Sequence, residues 1–335
     1  RLTGSFDYFI RKTEDMMGPG MNYPPHLVPM LPPTNNTDMK TYGWELQIGW
    51  RDQIGDFKYG AKLSLSDSQS KILRYGNPTG SLSKYVEGEL IGNIYGYTTI
   101  GIAKTDEEMQ QHLASLPNGG QSALGSQWAA GDIMYADLNG DGKINNGSYT
   151  INDMGDMKKI GNSTPRFMTG INLDAAYKGW DLQMFWQGVL KRDWWPGDKN
   201  MTFWGVTDGE WWSTSFKEHL DYFRTSENPL GENLNSYYPR PIFNTKNNKS
   251  QTRYLQNAAY MRLKNIQVGY TFPKVWINKL MLQNLRILFP RKPIDHYQPQ
   301  RYHGPGNMWC RIPKHRTSKR YGISTGKDNI IRIKC

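Results

Sequence analysis

The sequence predicts an all-β protein that forms part of an antiparallel transmembrane β-barrel with long extracellular loops. Three observations predict this fold class. Apolar and polar residues alternate with a period of two in several segments, which is the pattern of strands with two different faces. The connections between these segments are alternately short and long, as in membrane barrels. Aromatic residues make up 13% of a chain whose mean hydropathy is only -0.71, and they lie near strand ends as interfacial girdles do.

The first predicted strands lie within the first 65 residues. Phe6, Tyr8 and Ile10 alternate with polar residues in the opening segment. Apolar residues then occupy every second position from Trp44 to Trp50 and, after RDQIGD, most alternate positions from Phe57 to Leu65. Two alternating runs joined by a short polar link predict a hairpin.

The clearest hairpin lies further along the chain. One run alternates from Ile171 to Tyr177, a second alternates from Trp180 to Trp186, and Lys178-Gly179 separates them. A two-residue turn that contains glycine is typical of a tight hairpin. A further strand is predicted from Ile266 to Phe272, and the last one over residues 283–289. The chain therefore contributes roughly seven strands.

The lengths of the connections favour a barrel over its main alternative. Short links are expected at 51–56, 178–179 and 273–282, and long ones at 12–37, about 70–166 and 191–257. A soluble antiparallel sandwich also has alternating strands, but loops of sixty or more residues are too long for an ordinary sandwich. The sequence has no run of about 18 apolar residues, which excludes a spanning helix.

One segment has the spacing of a calcium-binding loop. DLNGDGKIN places Asp137, Asn139 and Asp141 at positions 1, 3 and 5, with Gly142 at position 6. Oxygen ligands two residues apart can converge on one hard cation where glycine permits a sharp turn. Position 12, however, is Ser148 in place of a bidentate acid, and Asp153 comes late. A structural calcium site and a turn rich in Asp and Asn both remain open.

Indole side chains are concentrated in the connection from 191 to 257. Exposed indoles would offer flat faces to a sugar ring or a peptide side chain, whereas buried ones would only pack the loop. Both interpretations stay open for five residues as candidates for substrate binding: Trp194, Trp195, Trp204, Trp211 and Trp212. The sequence contains no phosphate-binding loop, nucleophile elbow, zinc spacing or dinucleotide fingerprint, so we expect no catalytic centre and no enzyme.

Five segments together resemble the C-terminal part of SusC/RagA-type TonB-dependent outer-membrane transporters. They are GSFDYFIRKTEDM, YGWELQIGWRDQIGDFKYGAKLSLSDSQSKI, GDIMYADLNGDGKIN, IGNSTPRFMTGINLDAAYKGWDLQMFWQGV and AAYMRLKNIQVGYTFP. They lie within residues 1–289. The DLNGDGKIN loop matches a segment that is typical of this family. The resemblance implies a whole barrel of roughly 22 strands with a plugged lumen, of which this chain supplies the C-terminal strands.

The resemblance also implies a function and partners. It implies import of glycan or peptide fragments across the outer membrane of a Gram-negative bacterium, driven by TonB. A SusD-like surface lipoprotein would cap the extracellular side, outer-membrane lipid would surround the strands, and the TonB complex would act through an N-terminal region absent from this chain. No cofactor is required by the resemblance, and no nucleic-acid partner is expected.

The segment 290–335 departs from this pattern. It has 11 Lys and Arg against 2 Asp and Glu, whereas the rest of the chain is nearly neutral, and it contains both cysteines, Cys310 and Cys335. Codons for this segment permit a next-frame translation that contains ENLLTITSLNGIMDPE and AYPRARTISFGLNV, as expected for the family. We therefore expect residues 1–289 to be barrel and 290–335 to be an aberrant, frameshifted and disordered basic tail in which the histidines His296, His303 and His315 have no evolved role.

Two alternative functions follow from the residues alone. A secreted calcium-dependent glycan-binding module would need the strands to enclose a soluble core and DLNGDGKIN to hold the metal. A nucleic-acid-binding protein would use the basic tail and would show a steep dependence on salt. The tail has the charge for this role, but it has no recognisable binding module.

Overall fold

A computed structural model describes residues 1–19, 34–208, 215–277 and 285–291. Its main element is one antiparallel sheet of seven strands in the order β1-β2-β3-β8-β9-β12-β13. These strands are β1 (Leu2–Gly18), β2 (Thr34–Ile54), β3 (Phe57–Arg74), β8 (Arg166–Tyr177), β9 (Trp180–Lys191), β12 (Tyr260–Thr271) and β13 (Arg286–Arg291). The predicted number of strands is confirmed.

Smaller elements lie between the strands of the main sheet. Three two-stranded sheets pair β4 (Asn93–Tyr97) with β7 (Met157–Asn162), β5 (Thr99–Ile102) with β6 (Ile133–Tyr135), and β10 (Asp193–Trp194) with β11 (Gln256–Asn257). The helices are α1 (Asp106–Ala114), α2 (Met201–Trp204) and α3 (Lys274–Ile277). Among the described residues, no helix has the length and apolarity needed to span a bilayer.

The register of the main sheet aligns the apolar positions of all seven strands. For example, Leu46 lies opposite Leu65, Ile48 opposite Leu63, and Leu173 opposite Met184. This common surface is called the apolar face. Its members include Phe6 and Tyr8 of β1, Ile48 and Trp50 of β2, Leu63 of β3, Leu173 of β8, Leu182 and Met184 of β9, Val268 of β12 and Phe289 of β13. The opposite, polar face includes Gln47, Ser64, Asn172 and Gln183.

The apolar face is open rather than covered. Phe6 is 64% exposed, Tyr8 62% and Trp180 52%. A soluble sandwich would bury such a face against a second sheet, yet in the described part of the chain the only other sheets have two strands each. The sandwich alternative, and with it the secreted module that needs a soluble core, is therefore wrong.

The short connections agree with the predicted hairpins. Lys178 and Gly179 have φ values of 44° and 89°, as both central residues of a tight hairpin turn require. The first hairpin turn is shorter than the expected 51–56, because β2 continues to Ile54 and β3 begins at Phe57. Aromatic residues surround this end of the sheet, where the Trp180 and Tyr270 rings lie 4.8 Å apart and the Phe57 and Tyr59 rings 5.7 Å apart.

The long connections are shorter than expected because the strands extend past the last apolar residues. Residues 12–18 and 34–37, predicted as part of a loop, belong to β1 and β2, and β3 continues to Arg74. The last strand begins at Arg286 and continues to Arg291, two residues beyond the predicted end of the barrel segment. The remainder of the basic tail, including both cysteines, lies outside the described residues.

Two long connections form a compact unit at the other end of the sheet. This unit is called the loop head and comprises the described residues within 75–165 and 192–259. Its buried core draws on both connections, with Met109, Ile133 and Tyr135 from the first and Trp204 and Tyr254 from the second. Each of these five side chains is fully buried. The loop head therefore has its own hydrophobic core, separate from the exposed apolar face.

Candidate functional site

Backbone hydrogen bonds join the two halves of the loop head. The Tyr97 N–H donates to the Ser250 carbonyl at 2.8 Å, and the Thr252 N–H donates to the Tyr97 carbonyl at 3.0 Å. The Arg240 N–H donates to the Gly131 carbonyl at 2.9 Å. Such bonds between distant loop segments satisfy backbone groups that would otherwise be buried without partners. The two connections therefore form one folded surface.

Asp132 is the polar centre of this unit. Its carboxylate has no exposed area and accepts hydrogen bonds from Arg240 Nε at 2.7 Å, Arg240 Nη2 at 2.8 Å and Asn247 Nδ2 at 2.9 Å. Burial by itself raises the pKa of the Asp132 carboxyl, but the hydrogen bonds from Arg240, Asn247 and Lys246 outweigh this effect and lower its pKa. Asp132 is thus a buried anion held by groups from the second connection.

Lys246 completes this network. Its Nζ lies 2.8 Å from Asp132 Oδ2 and donates to the Ser126 and Gln127 carbonyls at 2.9 Å. The same ammonium lies 4.4 Å from the centroid of the Trp128 ring, a cation–π contact in a desolvated setting. The three donor protons and the positive charge of Lys246 are therefore satisfied in the interior of the loop head, where an unpaired charge would be costly.

Aromatic rings of the second connection pack edge to face around Trp204. The Trp204 ring lies 4.8 Å from both Phe203 and Tyr254, and its Nε1–H donates to the Gly197 carbonyl at 2.8 Å. The Tyr238 hydroxyl donates to the Phe203 carbonyl at 2.8 Å. Tilted and edge-on contacts with satisfied polar tips are typical of a rigid aromatic core.

The candidate tryptophans have different positions. Trp204 is fully buried, so its proposed role as an exposed binding face is wrong, because side chains of the loop head surround its ring. Trp194 and Trp195 are half-buried and pack against Phe203 and Trp204 with ring centroids 6.3 Å and 6.1 Å apart. Substrate contact by these two residues stays a prediction, and Trp211 and Trp212 lie outside the described residues.

The calcium-like loop is organised by hydrogen bonds from its own backbone. Asp137 accepts from the Gly140 N–H at 2.7 Å and from the Gly142 N–H at 2.9 Å. Asn139 Oδ1 accepts from the Asp141 N–H at 3.0 Å, and Asp141 Oδ1 accepts from the Lys143 N–H at 3.1 Å. These are the bonds of Asp/Asn turns, so the loop geometry supports the turn interpretation directly.

Two more carboxylates adjoin this loop. Asp153 Oδ2 accepts from the Ser148 N–H at 2.8 Å and from the Ser148 hydroxyl at 2.6 Å, so the late acid does fold back onto position 12. Asp156 is fully buried, and burial, reinforced by the charge of Asp137, raises the pKa of its carboxyl despite hydrogen bonds from backbone N–H groups. Within the described part of the chain, no group of three His, Cys, Asp or Glu side chains is placed to hold a metal.

Calcium binding by Asp137, Asn139 and Asp141 therefore stays a prediction. If calcium binds, we expect it to raise the melting temperature of the EDTA-treated full-length protein, since a cation would offset the mutual repulsion of Asp137 and Asp156. At a hundredfold excess over Kd the gain would be about 2.7 kcal/mol. Calorimetry of the protein and of Asp141→Asn checks this, and an unchanged melting temperature for the unsubstituted protein would leave the loop as a hydrogen-bonded turn.

The residues of the buried network are the functional-site residues that sequence patterns miss. Asp132 follows glycine in GDIMYAD, and Lys246 lies in the polar run NTKNNKS. Asp132 lies in GDIMYADLNGDGKIN, one of the five resembling segments, but the resemblance assigns no role to it or to Lys246. Asp132 and Arg240 are 108 positions apart, and no local spacing relates them. The only sequence signal is the general expectation that some Asp and Lys residues in a long loop will be paired.

Comparisons with known proteins agree with the five resembling segments. No protein-family model matches the chain. The TonB-dependent receptor P3 of Formosa agariphila is 27% identical over 301 residues, which cover 86% of this chain and 27% of that protein. The TonB-dependent receptor P39 of the same organism is 23% identical over 321 residues, with 84% of this chain and 28% of that protein covered. The resemblance to TonB-dependent receptors is confirmed.

Solved structures share the fold of this chain. A structure of the RagAB peptide transporter matches 87% of this chain and 30% of its own chain, with a TM-score of 0.57 and 17% identity. The RagAB peptide importer in its open-open state gives a TM-score of 0.56 with 16% identity and 89% of this chain covered. The antiparallel β-barrel class is thus confirmed. The chain spans less than a third of the length of each of these TonB-dependent receptors and transporters, whose names are not those of enzymes.

Proposed function

We propose that residues 1–289 form part of the barrel wall and the extracellular head of an outer-membrane TonB-dependent transporter. The single observation that carries this proposal is the open apolar face that continues across all seven strands of the main sheet. Water-soluble proteins rarely expose a continuous apolar patch of more than a few hundred square ångströms. Lipid is the environment in which such a face is stable, with the polar face towards the lumen.

The dimensions of the apolar face fit a bilayer. From Tyr42 to Ile54, β2 covers about twelve residue steps, or about 40 Å of strand, and Asp52 is the one polar side chain on this face, near the short-turn end. At a tilt of about 40° this corresponds to about 30 Å along the membrane normal, close to the thickness of the hydrocarbon core. The aromatic ring pairs at the short-turn end then lie at the periplasmic interface, and the loop head lies outside the cell.

A matched pair of substitutions on neighbouring residues tests this orientation. Leu173 lies on the apolar face and Asn172 on the polar face of β8. We expect Leu173→Lys to destabilise the inserted barrel by about 2–4 kcal/mol, because lysine near the middle of the bilayer is poorly solvated. We expect Asn172→Lys to have little effect. Assembled, heat-modifiable full-length protein in outer-membrane fractions is the measurement, and equal losses for both variants would contradict the proposal.

The cargo and partners of the whole transporter form the finer part of the proposal. We propose import of glycan or peptide fragments, coupled to TonB and assisted by a SusD-like lipoprotein on the extracellular side. The names of the matched structures, which describe a peptide transporter, support this class of cargo. Affinity purification of the tagged full-length protein from outer membranes tests the lipoprotein partner. Recovery without a stoichiometric lipoprotein would contradict it.

The frameshift hypothesis for the tail remains part of this proposal. A closing strand is needed where the tail stands, because a membrane barrel must leave no unpaired edge. Genomic sequence across the codons for residues 285–335 tests this. A next frame that contains TISFGLNV supports the hypothesis, and a next frame interrupted by stop codons contradicts it.

A further inference from the structure

The apolar face changes into a row of lysines near the loop-head end of β1, β2 and β3. Tyr8 lies opposite Trp44, and one row further Ile10 lies opposite Tyr42. In the next row, Lys12 lies opposite Lys40. Lys40 in turn lies opposite Lys71. Successive rows on one face are two residues apart, so Lys12 and Lys40 continue the apolar face immediately beyond its aromatic border, and Lys71 extends their row onto β3. These three side chains are here called the lysine row.

The spacing of the lysine row concentrates positive charge. Side chains directly opposite each other on neighbouring strands have Cβ atoms about 4.5–5.5 Å apart. Like charges in such positions destabilise a sheet, and three adjacent ammonium groups therefore favour a bound anion. Lys12 is exposed, while Lys40 and Lys71 are half-buried along their stems. Their charged ends can converge on one small anionic group at the surface of the sheet.

Neighbouring acids neutralise only part of this charge. Lys12 Nζ lies 3.2 Å from Glu14. Asp15 and Asp38 both pair with Arg74, at 2.7 Å and 2.9 Å. Within the described ranges, neither Lys40 nor Lys71, at the centre and one side of the row, makes an ion pair with an acidic side chain.

A neighbouring ion pair shows the difference. Arg166 of β8 forms a two-pronged ion pair with Asp67 of β3, and its charge is thus satisfied within the sheet. Arg166 therefore has a carboxylate partner two rows from the lysine row on β3, whereas no ion pair among the described residues includes Lys40 or Lys71. The lysine row is a distinct feature of β1–β3 rather than a general property of the rim.

We propose that the lysine row binds the phosphate groups of an anionic lipid in the outer leaflet, such as the phosphates of a lipid A headgroup. This inference rests on the proposed membrane orientation. The aromatic border formed by Tyr8, Trp44 and Tyr42 marks the membrane interface, and the next row lies at the depth of the headgroup phosphates. Lysine is a good point-charge ligand for phosphate, and each basic residue near an anionic membrane surface adds to lipid attraction.

The position of the lysine row selects lipid over a soluble polyanion. On β1 and β2 the row directly adjoins Ile10 and Tyr42, whereas on β3 the polar residues Asp67 and Gln69 precede Lys71. A bound phosphate would therefore have acyl chains beside Ile10 and Tyr8, where they cover exposed apolar surface. A soluble polyanion would gain the charge contacts but would have no apolar part to place there.

A charge-matched pair of double variants tests the proposal in full-length protein. Lys40→Gln/Lys71→Gln removes two cations from the apolar face, and Lys58→Gln/Lys62→Gln removes two exposed cations from the polar face of β3. Each protein is reconstituted into phosphatidylcholine nanodiscs with a small fraction of lipid A, and the lipid retained after detergent extraction is quantified by mass spectrometry. We expect the first variant to lose at least about tenfold in lipid A retention, and the second to stay within about twofold of the unsubstituted protein.

Further outcomes separate the possible anions. Lipid A from which the phosphates have been removed should be retained no better than phosphatidylcholine, and inorganic phosphate should not displace phosphorylated lipid A. Equal lipid A retention by the two double variants would overturn the proposal, as would displacement by inorganic phosphate. Protein that inserts into nanodiscs without selecting lipid A contradicts this inference alone, whereas failure of all variants and of the unsubstituted protein to insert contradicts the proposed function.

Discussion

Replacement of Asp132 by asparagine is expected to destabilise the loop head by about 3–5 kcal/mol, because it leaves the buried Lys246 and the partly exposed Arg240 without their common anion. Arg240 and Lys246 both bind the Asp132 carboxylate, and the side chain of Lys246 is only 2% exposed. An amide can accept one hydrogen bond in place of the carboxylate but cannot balance the charge of Lys246. The loop head should then open locally while the main sheet persists.

Hydrogen exchange of the full-length protein measures this effect with an internal reference. Protection should fall for the backbone N–H groups of Ile133 and Tyr135, which bond to side chains within the loop head. Protection of β8 and β9 should not change, since their bonds belong to the main sheet. Unchanged exchange at Ile133 and Tyr135 would show that the network does not hold the loop head together.

A second substitution separates lost hydrogen bonds from an unbalanced charge. Addition of Lys246→Met to Asp132→Asn removes one of the two cations that have lost the Asp132 carboxylate, and it keeps an unbranched apolar side chain. We expect the double variant to regain part of the protection lost in the single variant, since the coupling between contacting charges is not additive. A purely additive loss would mean that charge balance contributes little to the stability of the loop head.

Trp204→Ala is expected to destabilise the loop head by about 3–5 kcal/mol through the cavity that it creates. Trp204 is fully buried and contacts Phe203 and Tyr254, and its removal also leaves the Gly197 carbonyl without its donor. Phe243, which belongs to the same connection, is 83% exposed. Phe243→Ala should therefore change stability by no more than about 0.5 kcal/mol.

Trypsin digestion of intact cells or outer-membrane vesicles distinguishes structural from binding roles for Trp204. A structural role predicts faster cleavage after Lys246 in Trp204→Ala, because the Lys246 side chain is engaged in the folded loop head. A direct binding role would leave the cleavage rate unchanged and reduce only the uptake of substrate. The second result would contradict the packing described for Trp204.

The strands of the main sheet could be predicted because their signal is local. Alternation in Ile171–Tyr177 and Trp180–Trp186, with Lys178-Gly179 between them, specifies a hairpin without knowledge of any distant residue. Alternation alone, however, predicts strands that are shorter than β1 and β2 of the structure. Residues 12–18 and 34–37 have few apolar side chains, but their backbones still pair with one another, because strand pairing continues wherever both partners remain extended.

The loop head could not be predicted because its contacts are long-range. Whether Trp204 is exposed depends on Tyr254, fifty positions later, and the environment of Lys246 depends on Ser126, 120 positions earlier. Tryptophan content alone is equally compatible with a binding surface and a packed core. The hydrogen bonds of Asp137, Asn139 and Asp141 differ in being local, since each spans only a few residues.

The interlocked construction of the loop head limits how this surface can be exchanged between related proteins. Tyr135 from the first connection packs among groups that include Lys246 and Gln251 from the second. A chimaera that carried only one foreign connection would combine two halves of unrelated cores. It would leave polar groups in the interior without hydrogen-bond partners. The two connections therefore form one unit of exchange, and recombination or engineering of the loop head must replace residues 75–165 and 192–259 together.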